Sequence, residues 1–354
     1  MPASFRIAVL PGDGIGPEVI AEAVKVLRAV EIRLSGVSFE LEEFSVGAGE
    51  YLRGGDPLPP ATFERCKQFD AILLGAMGLP GVRWPNGTEM APQLDLRERL
   101  ELYAGVRPIR LYHSGHTPLK KYGAGEIDLV IFRESTEGMF WSRLGKYAPD
   151  ATEVCDTMRI SRKASERLFR AAFREAGRRR GLVTLVDKAN VLPSMSFFRR
   201  IFDEIAEEFR HIRTERIYVD AASLYLVQRP HTFDVMVTEN IFGDILSDLA
   251  AGLIGGMGMA PSADIGDRYA VFQPSHGSAP DIAGQGIANP MAAILSVALM
   301  LEWLGLADAA KMIRDAVETV YSEGGSLTRD LGGSLTTEQC GEATIAIIKN
   351  RFEN

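Results

Sequence analysis

Two aspartates spaced four residues apart form the motif that most directly suggests metal chemistry. Asp244 and Asp248 follow the apolar run 235–237. Their spacing places both carboxylates on one helix face, where they repel each other unless a cation lies between them. Because no cysteine or histidine is near, oxygen ligands indicate Mg²⁺ or Mn²⁺. Asp220, at the end of another apolar run, is a candidate third ligand. The alternative, a solvated acidic helix face, is disfavoured by the apolar residues around the pair.

Three arginines offer a candidate site of the opposite charge. Arg97, Arg107 and Arg133 stand in the segments LDLRERL, GVRP and FRES. A guanidinium group binds a carboxylate through two parallel hydrogen bonds, so three converging arginines would form a strong anion pocket. Spacing alone does not establish that they converge, and a single arginine is more often a solvated surface residue.

Lys188 is a candidate general base. It follows the apolar run 182–186, at the end of a predicted strand, where α/β sheets present ligand-binding groups. Partial burial near a metal ion would lower the pKa of the amine and allow Lys188 to accept a proton. The alternative is an ordinary surface lysine.

Two loops rich in small residues are candidate nucleotide contacts. The first, GDGIGPE from Gly12, follows a predicted strand. Its third glycine comes too early for the dinucleotide-binding fingerprint, so it is not a Rossmann loop, and alone it fits a structural turn as well as a ligand-facing one. The second loop begins at His276 and contains Asp281. Its carboxylate can accept hydrogen bonds from ribose hydroxyls and would repel a 2′-phosphate.

Composition and charge narrow the class of protein. The 354 residues are 46% hydrophobic and 24% charged, which is typical of a globular chain. With 39 basic and 47 acidic side chains the formal net charge is −8, which argues against nucleic acid or an acidic membrane surface as a partner. The longest apolar stretch, 292–301, is shorter than the ~20 residues that span a bilayer. Cys66, Cys155 and Cys340 are widely spaced, and the N-terminus has no secretory signal pattern, so we expect reduced thiols and a cytoplasmic location.

Short apolar runs alternate with longer helical patterns, and these elements must position the candidate groups. Strands are predicted at 5–10, 70–74, 127–132, 182–186, 217–219 and 235–238. Several are too apolar for a sheet with one wet face, so helices are expected on both faces. Ser161 is the predicted cap of a helix that ends before Gly181, and Asn289 opens another that ends near Gly305. The alternation predicts an α/β architecture.

Eight segments, in this order, resemble the β-decarboxylating dehydrogenases, the family of isocitrate, 3-isopropylmalate and tartrate/D-malate dehydrogenases. They are GDGIGPE from Gly12, LYAGVRP from Leu102, RESTEG from Arg133, DKANVL from Asp187, VDAAS from Val219, TENIFGDILSD from Thr238, HGSAPDIAG from His276 and NP at Asn289. They cover nearly the whole chain, and their shared order makes a chance resemblance very improbable.

The resemblance implies a two-domain α/β fold of the isocitrate/isopropylmalate dehydrogenase type, distinct from the Rossmann fold. Residues 1–102 plus 255–354 would form a discontinuous cofactor-binding domain, and residues 103–254 a dimerisation and catalytic domain. It also implies a homodimer with shared active sites, in which Lys188 and Asp220 reach in from the neighbouring subunit. Residues 138–159, which carry a strand-like pattern, would then be an antiparallel intersubunit arm.

The resemblance also implies a role for each candidate residue. The implied substrate contacts are Arg97, Arg107, Arg133, Leu94 and Gln93, the implied metal ligands are Asp220, Asp244 and Asp248, and the implied dinucleotide contacts are Ile15, His276, Gly277, Ser278, Ala279, Asp281, Ile282 and Asn289. Lys188 and Asp220 are the implied catalytic residues, with Lys188 helping to remove the proton of the substrate hydroxyl. Because Asp281 and Ile282 stand where NADP-dependent relatives carry a basic residue and a tyrosine, we expect NAD.

Phe140 departs from the family pattern. Seven residues after Arg133, relatives carry a tyrosine that helps to protonate the enolate left by decarboxylation, whereas phenylalanine has no proton to give. Three interpretations stay open. Tyr147 or a water substitutes for the tyrosine, or the enol leaves and ketonises in solution, or oxidation is not followed by decarboxylation.

The substrate is a small carboxylate whose identity the sequence only narrows. In isopropylmalate enzymes the stretch before the first arginine contacts the isopropyl group, but here residues 90–96 are half polar. Glu89 and Asp95 disfavour a third carboxylate and hence isocitrate. We therefore expect NAD-dependent, metal-requiring oxidation and decarboxylation of a 3-substituted malate, nominally 3-isopropylmalate, with tartrate or D-malate as the alternative. A catalytically silent regulatory paralogue would suit Phe140, but the complete set of catalytic residues argues against it.

Overall fold

The computed structural model describes residues 3–148, 150–322 and 327–351 as an alternation of strands and helices. The strands are β1 (Ala3–Leu10), β2 (Val37–Glu43), β3 (Ala71–Leu74), β4 (Ala104–Arg110), β5 (Asp128–Glu134), β6 (Leu182–Asp187), β7 (Arg213–Tyr218), β8 (Val235–Thr238), β9 (Pro261–Ile265) and β10 (Ala270–Pro274). The helices are α1 (Gly16–Glu31), α2 (Ala48–Gly54), α3 (Pro60–Cys66), α4 (Pro92–Arg99), α5 (Arg162–Arg178), α6 (Pro193–Ala206), α7 (Val219–Gln228), α8 (Asn240–Gly252), α9 (Met291–Trp303), α10 (Ala307–Ser322) and α11 (Thr337–Arg351). The α/β fold class predicted from the sequence is confirmed.

The described residues group into two compact units. The first lies within Met1–Leu96, Gly255–Ala263 and Arg268–Asn354, and the second comprises the described part of Arg97–Ile254 together with Asp264–Asp267. The division predicted from the sequence assigned residues 97–102 and 264–267 to the cofactor-binding domain. In the structure, the contacts of these residues group them with the second unit. An ion pair between Arg97 and Asp264 is one physical reason.

In the first unit, parallel strands are covered by long helices. Strand β1 pairs in parallel with β2 on one side and β3 on the other, and β10 pairs in parallel with β3. All four residues of β3 are buried, as expected for a parallel strand with both faces covered. Helix α9 contacts both α1 and α10, and ten of its 13 residues are buried.

In the second unit, one antiparallel pair adjoins three parallel strands. Strand β4 runs antiparallel to β5, β5 and β6 each pair in parallel with β8, and β7 pairs in parallel with β6. Helices α5 and α6 pack against each other through four fully buried phenylalanines, with ring centroids 4.6–5.3 Å apart. These rings are Phe169, Phe173, Phe198 and Phe202.

The six predicted strands overlap β1, β3, β5, β6, β7 and β8, and both predicted helix starts are present. The hydroxyl of Ser161 accepts a hydrogen bond from the Ala164 amide at the start of α5, and α9 begins directly after Pro290. Strand β7 lies mostly upstream of its predicted position because it is a half-exposed run of polar residues without a continuous apolar signal.

The antiparallel arm predicted for 138–159 does not form within this chain. The backbone of Gly138 pairs with that of Arg159 at an isolated antiparallel bridge, after which Met139–Ser142 make a 3₁₀ turn. The rest of the described segment contains no strand, and residues 150–157 are exposed. A strand needs a neighbouring backbone edge to satisfy its hydrogen bonds, and the described residues of one chain do not supply that edge here.

None of the helices within the described ranges is both long and apolar enough to cross a lipid bilayer.

Asp13, in the first glycine-rich loop, holds three backbone segments together. Its buried carboxylate accepts hydrogen bonds of 2.8 Å from the amides of Ala48, Gly49 and Gly78. Gly47 has φ +102°, and a Cβ atom there would lie 2.4 Å from the Asp13 carboxylate, so this close approach requires glycine. The aspartate of GDGIGPE is therefore a structural residue.

We expect Asp13→Ala to lower the free energy of unfolding by about 3 kcal/mol, because two buried amides and one half-buried amide lose their acceptor. Urea-induced unfolding measures this change. The matched control is Asp56→Ala, since Asp56 is half-buried and accepts a hydrogen bond from the Leu58 amide. That variant should lose about 1 kcal/mol or less, and an equal loss in both variants would contradict the role of Asp13.

Candidate active site

Three buried arginines lie together in the second unit. Arg97 is on α4, Arg107 on β4 and Arg133 on β5, and each is at most 5% exposed. In the antiparallel register Arg107 faces Ile131, so Arg107 and Arg133 are diagonal neighbours on the same face of the sheet. Burial, followed by the charge of Arg97, lowers the pKa of Arg133 to about 10, which leaves the guanidinium protonated at neutral pH.

Arg133 is fixed in place by helix α8. Its Nε and Nη2 atoms donate hydrogen bonds of 3.0 and 2.7 Å to Oδ1 of Asn240, and its Nη1 atom pairs with Asp244. The centroid of the Phe140 ring lies 5.2 Å from the guanidinium carbon. A Cβ atom on Gly243 would lie 2.6 Å from the Arg133 side chain, so the helix approaches this closely only with glycine.

Asp264, on β9, is a buried counter-ion that the sequence reasoning missed. It is 1% exposed, with Oδ2 3.0 Å from Nε of Arg97 and Oδ1 3.3 Å from the hydroxyl of Ser135. Burial acts to raise the pKa of Asp264, but the charges of Arg97, Arg107 and Arg133 outweigh it and lower that pKa. The sequence held no clear signal for this residue, because β9 reads PSADI and its small and polar residues interrupt the apolar pattern that would reveal a buried strand.

Asp244 and Asp248 lie one helical turn apart on α8, close to the arginines. The helix begins directly after β8, where the carboxylate of Glu239 accepts a hydrogen bond of 2.7 Å from the Phe242 amide. Partial burial and then the charge of Asp244 raise the pKa of Asp248. This mutual repulsion of two carboxylates that both reach solvent fits a divalent cation, because hard oxygen donors are the ligands that Mg²⁺ and Mn²⁺ prefer.

Lys188 and Asp220 pair with each other instead of joining α8. Lys188 follows β6 and Asp220 lies in the first turn of α7, with Nζ and Oδ1 2.6 Å apart. The hydrogen bond from Lys188 lowers the pKa of Asp220. The described part of the chain contains no group of three histidine, cysteine or acidic residues that could hold a metal ion. One chain therefore does not assemble the predicted trio of aspartates, and the arrival of Asp220 from a second subunit stays a prediction.

A cavity of about 340 Å³ lies in the first unit, among the predicted dinucleotide contacts. Its lining residues are Ile15, Gly258, His276, Ile282, Ile287, Ala288, Asn289, Arg329 and Asp330. Four predicted contacts therefore line it, namely Ile15, His276, Ile282 and Asn289. The other four, Gly277, Ser278, Ala279 and Asp281, lie in the same loop, where the Ile15 amide donates a hydrogen bond of 2.8 Å to the Ser278 carbonyl. Sequence reasoning missed Arg329 and Asp330.

The chemistry of this cavity fits a nucleotide. Burial lowers the pKa of His276, so its ring is neutral, and its buried Nε2 atom has no hydrogen-bond partner among the described residues. An apolar cavity that contains one polar atom without a hydrogen-bond partner suits a nucleotide base, which is flat and carries hydrogen-bonding groups at its edge. Asn289 donates a hydrogen bond of 3.1 Å to Asp330, and Asp281 is exposed.

Gln93 and Leu94 lie on α4, the helix that carries Arg97. Both side chains are half-buried, and the buried Oε1 atom of Gln93 has no hydrogen-bond partner among the described residues. The predicted substrate contacts therefore include one polar group with an unused acceptor.

Comparisons with known proteins agree along nearly the whole chain. The family model described as isocitrate/isopropylmalate dehydrogenase matches residues 6–347. The 3-isopropylmalate dehydrogenase of Bacillus subtilis is 44% identical over 340 residues, which cover 93% of this chain and 92% of that protein. The isocitrate/homoisocitrate dehydrogenase of Thermus thermophilus is 46% identical over 349 residues, which cover 98% and 99%.

A solved structure shows the same similarity at the level of the fold. The crystal structure of isocitrate dehydrogenase from Methylococcus capsulatus is 40% identical and superposes with a TM-score of 0.87, covering 98% of this chain and 100% of that chain. Shared sequence and shared fold over almost the full length lead to one conclusion. This chain belongs to the isocitrate/isopropylmalate dehydrogenase family, the β-decarboxylating dehydrogenases.

Proposed function

We propose that this protein is an NAD-dependent, divalent-metal-requiring dehydrogenase that oxidises and decarboxylates a 3-substituted malate, nominally 3-isopropylmalate. The observation that carries the proposal is the group of three buried arginines beside the two aspartates of α8. A cation pocket next to a pair of oxygen ligands suits a substrate with a carboxylate on one side and a chelating 2-hydroxy acid on the other. The names of the Bacillus subtilis and Thermus thermophilus relatives support this class of substrate.

The residues of this chain would divide the reaction between them. Arg107 and Arg133 bind and orient the carboxylate from the sheet face, and Arg97 does so from α4. When bound, a divalent cation held by the aspartates stabilises negative charge on the substrate oxygens, and nicotinamide accepts a hydride. Lys188 takes the proton of the C2 hydroxyl at its Nζ atom. After loss of CO₂, a proton must reach the adjacent carbon, and Phe140 does not supply it.

The proposal includes a cytoplasmic homodimer. Lys188 and Asp220 pair with each other while Asp244 and Asp248 lie with the arginines, and in this proposal a second copy supplies Lys188 and Asp220 to the aspartates of α8. Exposed apolar side chains of the second unit support such an interface. They are Trp141, Leu144, Tyr147, Val154, Val191, Leu224, Val227 and Ile245. The three cysteines are free, as expected in a reducing compartment.

A second substrate class, tartrate or D-malate, is favoured by one observation. As a substrate contact implied by the resemblance, Gln93 would offer a buried carboxamide oxygen that has no hydrogen-bond partner among the described residues, and a substrate hydroxyl would satisfy that oxygen better than an isopropyl group would. The remaining alternative is a catalytically silent paralogue that binds a nucleotide for regulation and carries out no reaction. Retention of Lys188, the arginines and the aspartates is the argument against it.

The proposed function predicts turnover with NAD. Incubation with Mg²⁺ or Mn²⁺ and a panel of 3-isopropylmalate, D-malate, tartrate and isocitrate should give reduced cofactor and CO₂, with 3-isopropylmalate giving the highest kcat/KM. Spectrophotometry of reduced cofactor and a coupled CO₂ assay measure the two products. The absence of turnover with every diacid would contradict the proposed activity in favour of the regulatory paralogue.

The same assay measures the preference of the enzyme for NAD over NADP. By the family resemblance, Asp281 stands where NADP-dependent relatives carry a basic residue, and its carboxylate would repel a 2′-phosphate, whereas Arg329 in the cavity wall is a cation that opposes this effect. We expect kcat/KM to be higher for NAD than for NADP, and Asp281→Asn to narrow the difference. Asp308→Asn, which removes an exposed acid on α10, is the matched control. A preference for NADP would refute the assignment of NAD.

Lys188→Ala should lower kcat by about 10²–10⁴, because a positioned general base is lost, while the KM for the diacid changes little. Steady-state kinetics across pH measures both parameters. The control is Lys311→Ala, which breaks a lysine–aspartate ion pair of the same type on α10. If Lys188→Ala kept the kcat of the unmodified protein, Lys188 would not be the base.

Phe140→Tyr places a hydroxyl on the ring that lies over Arg133. We expect the ratio of CO₂ released to cofactor reduced to rise if that ratio is below one, and the protonation step to become faster if it is already one. Parallel measurement of both products and a solvent deuterium isotope effect report these changes. The matched control is Phe197→Tyr, whose ring lies 5.1 Å from the Arg200 guanidinium. If the product ratio and the solvent isotope effect were unchanged in Phe140→Tyr, the residue at position 140 would have no part in protonation.

A further inference from the structure

Asp264 places a permanent negative charge inside the arginine cluster. The side chain is 1% exposed, and its Oδ2 atom lies 3.0 Å from Nε of Arg97. Its charge also acts on Arg107 and Arg133, and together the three guanidiniums favour the ionised carboxylate despite its burial. An incoming substrate carboxylate therefore meets a cluster in which Asp264 balances one positive charge from within the interior, in addition to the partly exposed Asp244 that pairs with Arg133.

The other acids near the arginines differ from Asp264 in their exposure. Asp244 pairs with Arg133, but 45% of its side chain is exposed, and Asp248 also reaches solvent. Water and a bound cation screen charges in such positions, whereas a buried charge is screened little. Among these three acids, Asp264 is the one whose charge acts on a bound anion through a dry interior.

A purely structural ion pair in the same unit provides a comparison. Asp234 is also 1% exposed and pairs with Arg179 at 2.8 Å, and it accepts a hydrogen bond from the Leu182 amide. Asp234 precedes β8, whereas Asp244 and Asp248 follow β8, so Asp234 lies at the opposite end of the parallel strands. Asp264 differs because it shares its charge with three arginines at the candidate substrate site.

We propose that Asp264 is a specificity-determining residue that limits the charge of the anion bound by the arginine cluster and so selects dicarboxylates over tricarboxylates. Each further carboxylate of a ligand is repelled by the buried charge, and at separations of several ångströms in a protein interior this repulsion is large enough to decide affinity. The inference rests on the proposed function only in taking the cluster as the carboxylate pocket.

The test compares two inert ligands that share a three-carbon backbone. Glutarate carries two terminal carboxylates, and tricarballylate adds a third on the central carbon. Titration calorimetry at pH 8 with Mg²⁺, on the unmodified protein and Asp264→Asn, gives the ratio of the two dissociation constants. We expect Asp264→Asn to shift this ratio about tenfold in favour of tricarballylate, equivalent to about 1.4 kcal/mol. The same variant should raise kcat/KM for isocitrate relative to 3-isopropylmalate.

Two control variants separate charge from structure. Asp234→Asn removes an equally buried carboxylate beside an arginine, and Ser135→Ala removes a hydrogen bond to Asp264 without changing its charge. Both should keep the ligand ratio of the unmodified protein, and thermal unfolding shows whether each variant folds. An unchanged ratio in Asp264→Asn, or an equal shift in Asp234→Asn, would overturn the inference.

This measurement is independent of catalysis. A protein that shows the tenfold shift but turns over no hydroxy diacid would refute the proposed function and leave the role of Asp264 intact. Turnover of a hydroxy diacid without a shift of the ligand ratio in Asp264→Asn would support the proposed function and refute the role of Asp264.

Discussion

The buried positive charge of three arginines is the constraint on which the second unit depends. Removing a guanidinium from water is unfavourable unless charges or hydrogen-bond acceptors replace the solvent. Asp264 supplies a buried counter-charge next to Arg97, and Asn240 and Asp244 supply acceptors and charge for Arg133. The end of β9 that carries Asp264 and helix α8 must therefore lie close to these arginines, and Gly243 allows the helix to do so.

Under the proposed function, the cluster is arranged to bind an anion rather than to stabilise the fold most strongly. An apolar core of similar volume would avoid the desolvation of several charged groups. Fixed dipoles and charges at a ligand site lower the stability of the fold. They strengthen ligand binding and catalysis, because they need little rearrangement when the ligand binds. Arg133 is held in the interior by Asn240, whereas Lys188 and Asp220 form an ion pair in which Lys188 is half-buried and Asp220 is exposed.

Much of the fold was readable in the sequence because parallel strands covered on both faces appear as continuous apolar runs. Strands β1, β3, β5, β6 and β8 have this signal, and each was predicted close to its observed position. Strands β2 and β4 were missed because polar and apolar residues mix in them, and β9 and β10 because small and polar residues interrupt their apolar pattern. The arm predicted at 138–159 forms no strand within one chain, because a strand pattern does not state which backbone edge it will pair with, and its pairing with a second subunit stays a prediction.

By itself the sequence determined the chemical inventory: which residues carry charge, which runs are apolar, and that two acids share a helix face. These are local properties, set by residue type and by the period of a helix or strand. Tertiary structure decided which of these groups meet. It brought Asp264 to Arg97, placed Arg107 diagonally to Arg133 across two strands, and paired Lys188 with Asp220. Such contacts depend on strand order and register, which a residue pattern does not encode, since many arrangements bury the same apolar faces.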